Sequence, residues 1–94
     1  MTLQEFKLFC ENRADLKELW ENLVINALNF REQQISVVLK MRQEDTVLLD
    51  KEIVLLRELE YDFIRAKNEL CDVCARNNIT TPPFTLNKVC DLYA

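Results

Sequence analysis

The sequence predicts an all-α fold: an antiparallel hairpin of two long helices followed by a short third one. Three observations point there. The 94 residues include no glycine, and β-hairpins, tight strand turns and phosphate-cradling loops all lean on the positive φ that glycine supplies. The only prolines are the adjacent Pro82 and Pro83, so no proline breaks a helix before them. Apolar residues also recur at alternating spacings of three and four along most of the chain, the period of a helix buried on one side. A chain of this length makes one small domain, hiding roughly 60–65% of the surface its unfolded form exposes.

The first helix is expected over about residues 3–42. Thr2 and Glu5 form a Thr-x-x-Glu capping box, in which the hydroxyl takes an orphan amide and the carboxylate returns the bond. Past that cap one seam runs through Phe6, Phe9, Leu16, Trp20, Leu23, Ala27, Phe30, Val37 and Met41, with Arg13 and Gln34 as its polar exceptions. An unbroken helix of that span would be about 60 Å long.

The second helix is expected over about 46–76. Its seam is Leu49, Leu56, Leu59, Phe63, Ala66, Leu70 and Val73, out of phase with the first. The phase break means either a stutter in one continuous helix or a reversal near Arg42–Thr46. Asp45 and Thr46 are helix-starting residues, which favours the reversal. Asn77 or Asn78 can take the left-handed position that closes the helix. Pro82 and Pro83 extend a linker over 77–84, and Thr85 can cap a short helix over 85–94 that carries Leu86, Val89, Cys90, Leu92 and Tyr93.

Both long helices are apolar beyond their seams. The first adds Leu19, Val24, Ile25, Leu28, Ile35, Val38 and Leu39; the second adds Val47, Leu48, Ile53, Val54, Leu55 and Ile64. A two-helix seam hides only one narrow stripe, so each helix needs further neighbours. A third segment of about ten residues cannot supply them along the whole length. The fold should therefore be completed as a bundle by a protein partner or by a second copy, with Leu28, Ile35, Leu39, Ile53 and Ile64 as candidate partner-binding residues.

Chemistry is thinly represented. There is no histidine and no glycine loop, so neither a Cys–His or Ser–His nucleophile nor a phosphate cradle can be assembled. Cys71-x-x-Cys74 with Cys90, and Cys10 or a water as fourth ligand, invites a zinc reading, but structural zinc uses paired short spacings in turns, and Asp72 and Val73 continue a helix. A redox dithiol needs its first cysteine at a helix start, and Cys71 lies near a helix end. The expectation is free thiols packing a helix end, no metal, no cofactor and no catalysis. A net charge of −4 without a basic cluster argues against nucleic acid. No apolar run approaches membrane-spanning length, and the charged start is unlike a signal peptide, so a cytoplasmic protein is expected.

The stretch "KEIVLLRELEYDFIRAKNELCDVCARNNI" followed by "TTPPFTLNKVCDLYA" resembles the FlgN-like family of flagellar and type III export chaperones. Lys51, Leu55, Leu56, Leu59, Glu60, Leu70, Thr85 and Leu86 stand at the positions of that pattern, which covers roughly residues 45–94. The resemblance implies an antiparallel helical bundle that holds hook–filament junction proteins before export, without ATP hydrolysis or cofactor. In that family the C-terminal helix is the main client-binding element, and this sequence reaches only one to three turns into it. The resemblance thus implies Leu86, Val89, Leu92 and Tyr93 as the start of a client-facing helix. The competing expectation is a self-associating coiled-coil scaffold with no client.

Overall fold

The structure is a computed structural model; it describes residues 1–43 and 49–94 in full and the backbone alone of 46–48. Four helices follow one another: α1 (Leu3–Glu11), α2 (Ala14–Arg42), α3 (Thr46–Arg76) and α4 (Leu86–Asp91). The described residues include no strand. The molecule measures 49 × 23 × 20 Å, and its dominant contact is α2 against α3. The two run antiparallel, so that Gln33 and Ser36 near the end of α2 meet Glu52 near the start of α3. Of the expected reversal between Arg42 and Thr46, Glu44 and Asp45 lie outside the described residues, as do the side chains of Val47 and Leu48.

The single first helix expected over 3–42 is two helices. The capping box opens α1 as anticipated: Glu5 N–H donates to Thr2 Oγ1 at 3.1 Å, and Thr2 N–H donates to Glu5 Oε1 at 2.9 Å. The helix then stops at Asn12, whose side-chain amide donates to the Leu8 carbonyl at 2.7 Å and so competes with the next helical turn. Arg13 is extended (φ −118°, ψ 124°), and its guanidinium grips Asp15 in the first turn of α2 through two bonds of 3.0 and 2.7 Å. That acid also suits the positive end of the helix dipole. The polar exception in the seam marks a corner.

The corner folds α1 back onto α2 and delivers Phe6 to the core. Phe6 meets Trp20 edge-on, with centroids 5.8 Å apart, and stacks on Phe84 at 6.3 Å. Around them pack Cys10, Leu16, Leu23, Val24, Ala27, Phe63, Ala66, Leu70, Cys74, Val89 and Cys90. Met41, placed on the inner seam by its spacing, is instead exposed.

At its far end α3 closes through a Schellman motif. Asn78 takes φ 59°, Ile79 N–H donates to Cys74 O at 2.9 Å, and Asn78 N–H donates to Ala75 O at 3.2 Å. The linker is held down where Lys67 Nζ donates to the Phe84 carbonyl at 2.9 Å. Thr85 then caps α4, accepting from Lys88 N–H at 3.3 Å. This last helix is shorter than the expected 85–94, ending at Asp91.

Candidate functional site

The core fills one end of the hairpin. Among the described residues, every buried apolar residue apart from Val37 lies at or before Ala27 or at or after Phe63, where α1 and α4 cover the long pair. α4 lies on α2 through Cys90, whose Sγ donates to the Ala27 carbonyl at 3.3 Å, and through Arg31, which reaches Asp91 and the Asn87 carbonyl at 3.3 Å. Tyr93, just beyond α4, accepts a 3.0 Å bond from Trp20 Nε1 and sits under the Lys7 ammonium. Arg31 is the last α2 residue that α4 engages through these bonds. Beyond it, the described residues of α2 and α3 face each other without a third layer.

That arm is where the apolar side chains surface. Leu28 is 40% exposed, Ile35 58% and Leu39 51%; Val38, Met41, Val54, Leu55, Tyr61 and Ile64 are exposed too, while Ile53 is half-buried. Gln34, Ile35, Val38, Leu39 and Arg42 line a shallow depression of about 380 Å³. Five expected binding residues, Leu28, Ile35, Leu39, Ile53 and Ile64, therefore share the arm or its base. The four expected at the C-terminus do not behave alike. Val89 has no exposed surface and packs inside the chain's own core, so it cannot face a client while α4 is docked. Leu86 and Leu92 are half-buried against the same core, and only Tyr93 is exposed.

A second groove along α2 and α3 has a different character. It is lined by Asp15, Glu18, Glu21 and Glu69 around Leu19, Ile25 and Val73, and neither α1 nor α4 lines it. Asp15, tied to Arg13, is held below the usual aspartate range by that hydrogen bond. Further along, Asn22, Asn26, Asp62 and Arg65 continue it. Charged and amide groups of this kind are at home in water.

The cysteines are free, with Cys10, Cys74 and Cys90 buried and Cys71 half-exposed. Burial, with Cys74 nearby, pushes the Cys10 thiol up to about 12, and burial also raises Cys74 and Cys90. Such thiols stay protonated at neutral pH and are neither nucleophiles nor metal ligands in that form. Among the described residues no cluster of three cysteine or carboxylate side chains is placed to hold a metal ion, and no helix is long and apolar enough to cross a membrane.

Comparison with known proteins finds no matching family model, no similar curated protein and no similar solved structure.

Proposed function

We propose that this chain is a helical protein-binding module whose docking surface is the uncovered arm of the α2–α3 hairpin. The observation that carries the reading is uneven cover. One pair of helices is sealed by α1 and α4 at one end and shows a run of large aliphatic side chains at the other. Apolar patches of this kind on a small domain are typical of protein-contact sites. An amphipathic helix laid along the arm would add the missing layer by the ordinary rules of bundle packing.

The resemblance across residues 45–94 supports a finer reading. On it the partner is an export substrate, a hook–filament junction or other type III secretion protein, held before secretion in the cytoplasm without catalysis or cofactor. Leu86, Leu92 and Tyr93 would then extend the client surface from the base of the arm along α4 towards the covered end, with Val89 reserved for the chain's own packing. The self-associating scaffold is the second reading, and the charge pattern on α2 favours it as set out below.

The test uses Ile35→Lys with Leu39→Lys, two exposed positions whose change leaves the core intact. Titration of a purified hook–filament junction protein should show binding to the native chain and at least about a tenfold loss in the variant, since each aliphatic side chain hidden by a partner contributes about 1.5–3 kcal/mol. Circular dichroism should show unchanged helicity. Removing Thr85–Ala94 is the poorer test, because it also strips Val89 and Cys90 from the core. Unaltered binding in the variant would place the docking surface elsewhere.

A further inference from the structure

Turned away from the core, α2 carries a second seam: Ile25, Leu28, Glu32, Ile35, Leu39 and Arg42, spaced three, four, three, four and three. All six are exposed. An alternating spacing of three and four is what a helix uses to pack along another helix. Unlike the inner seam, this one has an acid towards one end and a base at the other, with Ile35 and Leu39 between them. Among the described residues neither Glu32 nor Arg42 forms an ion pair within the chain.

A two-fold contact uses the same patch twice, so the patch must complement its own inversion. Antiparallel packing of this seam on itself keeps the layers aligned in registers one heptad apart, of which two set Leu39 on an aliphatic residue of the partner's seam. In one, Ile35 meets the partner's Leu39 and Glu32 meets the partner's Arg42, each twice. In the other, one heptad away, Leu28 meets the partner's Leu39, but Glu32 is pressed on the partner's Ile35 and Arg42 on the partner's Ile25. That second register desolvates both charges against aliphatic side chains with nothing to offset the loss. A parallel pairing in register is worse, because it sets Glu32 on the partner's Glu32 and Arg42 on the partner's Arg42.

We propose that the occupant of the α2 face of the arm is a second copy of this chain, packed antiparallel about a two-fold axis at the level of Val37, with Glu32 and Arg42 forming reciprocal ion pairs around an Ile35–Leu39 centre. The proposal rests on the docking reading and names its partner. Four aliphatic side chains and two ion pairs fall short of the roughly 1,200–2,000 Å² of a stable interface, so the dimer is a weak and concentration-dependent one. Such weakness leaves the surface open to exchange with another helix.

Sedimentation equilibrium of the full chain, from low micromolar to near-millimolar concentration, tests it. The mass should rise from one chain towards two. Ile35→Lys with Leu39→Lys should weaken the association at least about tenfold. Glu32→Arg alone and Arg42→Glu alone should each weaken it about three- to tenfold, and the two together should restore it. Restoration cannot arise within one chain, because ten residues of helix separate the two side chains by about 15 Å. Circular dichroism of each variant checks that helicity is kept. A monomer at every concentration overturns the proposal while leaving the arm available to a different helix. A dimer that ignores the lysine pair overturns both this proposal and the choice of Ile35 and Leu39 as docking residues. A dimer in which the double charge reversal fails to restore association overturns the register and with it the proposal.

Discussion

At the scale of single residues, a few side chains do what glycine usually does. Asn78 holds the only positive φ among the described residues, 59°, and ends α3 there. A β-branched residue resists that conformation strongly, so Asn78→Val should cost about 1–2 kcal/mol in urea unfolding, and Asn78→Gly should be close to neutral. The acid and thiol groups give stability a dependence on pH from both sides. Glu5 lies below its ordinary value of 4.5, chiefly because the Thr2 backbone amide donates to it. A lowered carboxylate stabilises the fold above the unfolded value and loses that contribution as pH falls through the folded one. Helix α1 should therefore weaken below about pH 4.5, and Thr2→Ala should weaken it at all pH values. The buried thiols act in the opposite sense. Unfolded cysteine ionises near 9.0, whereas Cys10, Cys74 and Cys90 are held protonated above it, so stability should fall as pH rises past about 9. Thiol labelling of the native protein should modify Cys71 first, and the other three only on unfolding.

At the scale of elements, α3 was the most legible in the sequence and the first helix the least. The seam from Leu49 to Val73, the asparagines after it and the linker prolines all point to one element, and the helix spans Thr46–Arg76. In the first half the seam spacing carries on unchanged across Asn12 and Arg13, because a corner between two helices need not shift the apolar phase when both pack on the same core. Arg13 stands where the seam calls for an apolar residue, and Asp15 follows as a first-turn acid; together they were the available signal for the break. Replacing Asn12 and Arg13 by alanine removes the Leu8 and Asp15 hydrogen bonds. It should cost about 1–2 kcal/mol, read from Trp20 fluorescence in a urea titration. On the long helices the candidate residues were legible as apolar side chains outside the seams, and all five lie along or beside the arm. Val89 was not legible. A six-residue helix shows too little period to reveal its buried side, and here it buries Val89 and Cys90 together.

At the scale of the whole molecule, the layers are unevenly distributed. Around Trp20 the chain is three elements deep, whereas beyond Arg31 on α2 the described residues form two helices alone. Local opening free energy follows buried apolar contact, so amide exchange should be slowest over residues 16–27 and 63–74 and faster by a decade or more along the arm. A partner seated on the arm should slow exchange there and leave the core end unchanged. A uniform exchange profile along α2 would contradict this gradient.

The closing of the core joins residues that are made far apart in time. Phe6 stacks on Phe84, and Trp20 bonds Tyr93 across most of the sequence. During synthesis the paired arm can form while the ring of aromatic residues is still open, since Phe84 and Tyr93 follow everything else that packs there. A nascent chain should accordingly hold α2 against α3 with Phe6 and Trp20 still wet, and settle only when Phe84 and Tyr93 arrive. Contacts of such long sequence separation also slow folding, so refolding of the chain from denaturant should gain helix first and Trp20 burial second. Between those two moments the chain exposes apolar surface at both ends of the hairpin, and that interval is when a holding protein, or a second copy, would matter most to it.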